Sequence, residues 1–157
     1  MDKANITYTA VFSKTANSGG GGTGGGTGGG GGGGGTTPVT PSGSYLTGIS
    51  PNTSVSSLTA SGYTVYNGSK QVTSGLVGTG MTAVSSGGSV TIVVTGDVSG
   101  DGKVTITDVV KLQKSVVGSA SLTGAYAKAG DISGDGKITI TDVVQAAQVT
   151  VGQRTIN

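Results

Sequence analysis

Six of the seven acidic residues in this 157-residue chain fall inside two twelve-residue stretches, Asp97 to Asp108 (DVSGDGKVTITD) and Asp131 to Asp142 (DISGDGKITITD). The seventh is Asp2, and Glu is absent. Each stretch carries Asp at its positions 1, 5 and 12, Ser at 3, Gly at 6 and Thr at 9. Oxygen donors at alternate positions, wound around one centre, follow the ligand schedule of an EF-hand calcium loop. In the first loop the expected ligands are Asp97, Ser99, Asp101, the carbonyl of Lys103, Thr105 acting through a water, and Asp108 closing the site. In the second they are Asp131, Ser133, Asp135, Lys137, Thr139 and Asp142. Gly102 supplies the sharp turn that a side chain would obstruct.

Hard oxygen ligands in this number suit calcium better than magnesium, which demands a smaller and stricter octahedron, so two Ca2+ ions are the expected cofactors. Without them, carboxylates about 5 Å apart would repel by roughly 3 kcal/mol per pair at an effective dielectric of about 20. The empty loops should therefore be loose, and metal binding should be coupled to folding. Ser at position 3 and the short Asp at position 12 weaken the ligand set, which fits the high calcium found outside cells.

Other chemistries lack their residues. The chain has neither Cys nor His, which removes disulfides, thiolate and imidazole metal sites, and Ser-His or Cys-His catalytic pairs. Paired carboxylates of the glycosidase kind are unavailable too, because every acid but Asp2 is committed to a loop. A net charge of +2 spread over nine scattered Lys and Arg gives no basic stripe for nucleic acid, and no apolar run reaches membrane-spanning length. The chain is expected not to be an enzyme.

The elements that position the loops are a clear internal repeat. Gly96 to Gly118 and Gly130 to Gly152 match at a spacing of 34 positions (Asp97 and Asp131). A helix should follow each loop, over 107–117 and 141–151, with Val109, Val110, Leu112, Val116 and Val117 in the first and Val143, Val144, Ala147 and Val151 in the second at helical spacing. Val104 and Ile138 should pair the loops back to back, and residues 122–128 read as a short connecting helix. No helix precedes the first loop; Ser89 to Thr95 reads as a strand, so each repeat is a loop with an exit helix only.

Upstream, residues 44–95 read as a small β-rich module: strands over 45–49, 63–66, 82–84 and 90–95, a short helix capped near Ser54, and turns at Asn67-Gly68, Ser74-Gly75 and Gly87-Gly88. Its expected core is Tyr45, Ile49, Val55, Leu58, Tyr63, Val65, Leu76, Val77, Ile92 and Val94. Val77 to Gly80 reads as a bend. The last strand runs into Asp97 without a linker, so this module should pack on the loop domain. Residues 18–43, rich in Gly, Thr and Pro, are expected to be a disordered linker spanning roughly 25–30 Å. Residues 1–17, with one alternating stretch from Ile6 to Phe12, read as the tail of a preceding domain or a leader. The whole is a small α+β arrangement of two calcium-loop–helix repeats (half EF-hands) packed antiparallel, over residues 96–157, preceded by the β-rich module and the linker.

Paired loop–helix repeats without entering helices, as in residues 96–152, resemble the dockerin family, the plug-in modules of cellulosome-type polysaccharide-degrading complexes. The resemblance implies a cohesin domain as partner, on a scaffold or cell-surface protein, and a secreted, extracellular parent whose signal peptide lies outside this chain. It also implies a contact face at loop positions 10 and 11 and two positions on each helix. These are Ile106, Thr107, Gln113 and Lys114 in the first repeat and Ile140, Thr141, Ala147 and Gln148 in the second. Better-known dockerins often carry Ser-Thr where this chain has Ile-Thr, which suggests a different specificity group. The shared Ile-Thr-Asp would permit two binding orientations. Alone, the chain should be monomeric. The competing expectation is a calcium-stabilised spacer with no cohesin partner. Carbohydrate binding by the β-rich module would rest on Tyr45, Tyr63 and Tyr66, which read more naturally as core.

Overall fold

Six short strands and four helices follow one another along the chain. They are β1 (Thr40–Ser42), β2 (Tyr45–Ile49), α1 (Val55–Ala60), β3 (Thr64–Asn67), β4 (Lys70–Val72), β5 (Thr82–Ser85), β6 (Gly88–Val94), α2 (Ile106–Val116), α3 (Gly124–Gly130) and α4 (Ile140–Thr150). The computed structural model describes residues 40–156, which lie within one compact unit, Thr36–Asn157. The alternating stretch Ile6–Phe12 and most of the glycine-rich stretch fall outside the described residues.

The strands form one sheet in the order β1-β2-β6-β5-β3-β4, antiparallel except where β2 runs parallel to β6. Two strands were not expected, and both are edges. The first, β1, starts at Thr40, inside the stretch read as linker to residue 43. A three-residue edge strand needs only one partner, here β2, and at an edge Pro41 is tolerated because its missing N–H can face away from the ladder. The other, β4 (Lys70–Val72), is two-thirds exposed polar sequence, and its pairing with β3 decides it.

Side chains along a strand alternate between faces, and this alternation makes two cores. Leu46, Ile92 and Val94 turn to one face, where they meet Val55 and Leu58 of α1. That short helix is held by Ser54, whose hydroxyl accepts from the Ser57 N–H at 3.2 Å. The register of β2 against β6 shifts between Leu46 and Ile49, and Gly48 takes the φ of +77° that lets the strand bulge and keep Ile49 in the same core. Tyr45 and Val93 turn to the opposite face and join Val98, Val109, Leu112, Ala125, Val143 and Ala146 in a second core.

The expectation for Tyr45 was therefore out of phase by one residue, and Leu46 takes its place in the first core. Leu76 is half-buried and makes an isolated bridge with Ser54 rather than filling the interior. The module does pack on the loop domain as expected: α3 lies against β6, Gly96 N–H donates to the Ala129 carbonyl at 2.7 Å, and the Lys128 ammonium sits 5.2 Å from the centre of the Tyr45 ring. Each fully buried valine or leucine across this junction contributes about 1.5–3 kcal/mol.

The helices start one residue earlier than expected, because Thr105 and Thr139 act as their N-caps. α2 and α4 pack against each other. Val104 and Ile138 both reach the second core, but no backbone bridge joins them among the described residues.

Candidate metal loops and docking face

Each loop is wound by its own carboxylates. Asp97 Oδ1 accepts from the N–H groups of Gly100 (2.6 Å) and Asp101 (3.1 Å) and from the Ser99 hydroxyl (3.1 Å), while its Oδ2 accepts from the Gly102 N–H at 2.9 Å. Asp131 repeats this with Gly134 (2.8 Å), Asp135 (3.0 Å), Ser133 (3.4 Å) and Gly136 (2.8 Å). Asp101 and Asp135 each accept from the N–H two residues on, Lys103 and Lys137, at 2.9 Å. These bonds turn the chain through Gly102 and Gly136, at φ of +81° and +86°.

The position-12 residues connect loop to helix. Asp108 Oδ1 accepts from Ser99 N–H at 2.8 Å, and its Oδ2 accepts from the N–H (2.8 Å) and hydroxyl (3.0 Å) of Thr105. Asp142 binds Ser133 and Thr139 in the same way. Both are the third residue of their helix and complete a capping box with the threonine. Burial by itself would raise the Asp142 pKa, but the N–H groups of Thr139 and Ser133 with both hydroxyls outweigh it, so the carboxyl titrates below its ordinary value.

Asp97, Asp108 and Asp142 are fully buried. Among the described residues no Lys or Arg pairs with them; Lys111 Nζ donates to the Val98 carbonyl at 3.4 Å. A buried carboxylate surrounded only by neutral donors lacks a counter-charge, and a divalent cation at the loop centre would supply one. The donor set fits a hard ion: carboxylates, the serine hydroxyls and the Lys103 and Lys137 carbonyls. The three acids of a loop do not gather into one cluster, and no group of three or more acids does so among the described residues. Position 5 instead accepts from the backbone N–H of position 7, so the close approach assumed from spacing is relaxed here.

The two loops share their hydrogen bonds but not their surroundings. Ser133, Gly134, Asp135, Gly136 and Lys137 are all exposed. The first loop lies against the β-rich module: Asp97 Oδ2 also accepts from Thr79 N–H at 2.9 Å, and the Gly102 carbonyl accepts from Asn52 N–H at 2.8 Å.

On the helices, Ile106 and Ile140 are 67% and 62% exposed, with Thr107, Gln113, Lys114 and Thr141 exposed beside them. Ala147 and Gln148 are half-buried, and Ala147 packs on the second core. Of the apolar residues that recur at helical spacing, Val110, Val116, Val117, Val144 and Val151 are exposed. Each helix has more apolar residues than one face can cover, and the excess forms a stripe, Ile106–Val110–Val117, repeated as Ile140–Val144–Val151. Its spacing of four and seven residues is the signal that a second apolar face exists.

Residues 95–146 match the family model of the dockerin type I domain, which spans both loops, α2, α3 and most of α4. The segment is a type I dockerin module. No match was found among curated proteins or among solved structures. Dockerins are non-catalytic interaction modules that in general bind cohesin domains in cellulosome-like complexes; they are typically calcium-binding and typically occur in secreted or extracellular proteins. Among the described residues, no helix is long and apolar enough to cross a membrane.

Proposed function

We propose that residues 96–157 form a calcium-dependent dockerin that binds a cohesin domain and anchors a secreted parent protein to a scaffold or cell surface, with residues 44–95 as its companion module. Two Ca2+ ions bind in the loops, one through Asp97, Ser99, Asp101, the Lys103 carbonyl, Thr105 and Asp108, the other through Asp131, Ser133, Asp135, the Lys137 carbonyl, Thr139 and Asp142. The cohesin binds in either of two orientations, over the stripe that opens at Ile106, with Thr107, Gln113 and Lys114, or over the one that opens at Ile140, with Thr141 and Gln148. Exposure of the same large apolar residue at the start of both helices carries this reading, because a solvated face has no use for it. Each position-12 Asp caps the helix that presents the stripe, so an ion held there would set the helix and its stripe together.

Calorimetry of the chain against a panel of cohesins, in calcium and in chelator, tests it. Binding should require calcium, weaken little with Ile106→Asp or Ile140→Asp alone, and vanish with both. A double variant that binds normally would remove this face from the argument. Failure to bind any cohesin would favour a calcium-stabilised spacer.

A further inference from the structure

The two loops have nearly the same sequence and the same internal hydrogen bonds, yet a segment of the β-rich module rests on only one of them. Residues 76–80 connect β4 to β5 and run across the first loop. A Cβ on Gly102 would stand 2.5 Å from the Val77 carbonyl oxygen and 2.9 Å from the Leu76 Cβ, and one on Gly78 would collide with the Gly100 carbonyl. At Gly134 and Gly136, the counterparts of Gly100 and Gly102, nothing lies within 4 Å. Thr79 is the link between the two modules. Its backbone N–H donates to Asp97 Oδ2, and its hydroxyl accepts from Val94 N–H at 3.0 Å and contacts the Val94 carbonyl at 3.2 Å, tying the segment to β6. Tyr126 of α3 closes the same contact, its ring and hydroxyl lying against Gly80 and Gly100.

We infer that residues 76–80 are a positioning element for the first metal loop, so that the two calcium sites are unequal: the first fills and folds as one unit with the sheet, and the second exchanges its ion independently. This rests on the calcium reading of the loops. Part of the first loop's order comes from the sheet, to which segment 76–80 is tied through Thr79 and Val94, so less conformational freedom remains to be lost when the ion orders loop and segment together. At Gly134 and Gly136 the second loop meets no such neighbour, and it is ordered by its ion and its own internal bonds. As calcium falls, α4 with its stripe should therefore lose its cap while α2 keeps its own.

Amide hydrogen exchange of the full chain, followed peptide by peptide across a series of buffered free calcium concentrations, tests this. In the native chain, loop 99–103 and segment 76–80 should gain protection at one shared midpoint, and loop 133–137 at a higher one. Gly78→Ala touches no proposed ligand and needs no unusual backbone angle. It should move the first loop's midpoint to higher calcium by about tenfold, the scale of an overpacked contact, and leave the second unmoved. Should Gly78→Ala not fold, Asp101→Asn and Asp135→Asn decide the matter. Asp101→Asn should strip protection from segment 76–80 and loop 99–103 together, and Asp135→Asn only from loop 133–137. Equal midpoints in the native chain with segment 76–80 indifferent to calcium, or midpoints that move together in Gly78→Ala, would overturn the inference and leave calcium binding standing. Loops whose protection ignores calcium altogether would remove both.

Discussion

Gly102→Ala and Gly136→Ala make the same chemical change at equivalent turns, yet their costs should differ. Both glycines sit in the left-handed region, at φ of +81° and +86°, where an L-residue loses about 1–2 kcal/mol. At Gly136 the new methyl group enters open space, so that strain is the whole cost. At Gly102 it would sit 2.5 Å from the Val77 carbonyl oxygen, a backbone atom that cannot swing aside, and 2.9 Å from the Leu76 Cβ. Overpacking of this kind adds about 1–3 kcal/mol. The expected losses are therefore about 1–2 kcal/mol for Gly136→Ala and about 2–5 kcal/mol for Gly102→Ala. Urea denaturation of the full-length variants in saturating calcium, monitored by far-ultraviolet circular dichroism, measures both. Equal losses would mean that segment 76–80 does not press on the first loop in solution, and the unequal-site argument would lose its footing.

Thr79→Val keeps the shape of the side chain but leaves Val94 N–H without its buried acceptor, and should cost about 1–3 kcal/mol in the same denaturation experiment. Leu112→Ala, in the second core, should cost about 2–5 kcal/mol, and because Val93 and Tyr45 share that core, sheet and dockerin signals should shift together. Ile106→Asp and Ile140→Asp should leave the urea midpoint nearly unchanged, within about 0.5 kcal/mol, since both residues are exposed; a large loss would make the stripe part of the interior. Chelation should lower the melting temperature, and a site held at a hundredfold excess of calcium over its dissociation constant should account for about 2.7 kcal/mol.

The two acidic loops and their exit helices were legible in the residues because their causes are local. The carboxylates, the turn glycine and the capping pair Thr105 and Asp108 all lie within one twelve-residue stretch, and the pattern occurs twice. The interior of the β-rich module was legible in part: Ile49, Val55, Leu58, Val65, Ile92 and Val94 alternate against turn signals as core residues should. Tyr45 and Leu46 show where such reading stops. Two adjacent apolar residues on a strand between two cores can adopt either phase, and only the partners on each side choose. Likewise, a helix with apolar residues all round does not say which stripe is covered, and only the fold leaves Val110 and Val144 outside.

By itself, then, the sequence determined which two stretches the carboxylates wind into loops, because those contacts join near neighbours in the chain. Tertiary structure alone decided that the two copies are not alike. The partners that distinguish them, Asn52 with Gly102, Thr79 with Asp97 and Tyr126 with Gly100, are far apart in the chain and leave no pattern in it. Near-identical loops fold to near-identical bonds, and only a neighbouring sheet makes one of them part of a larger folded unit.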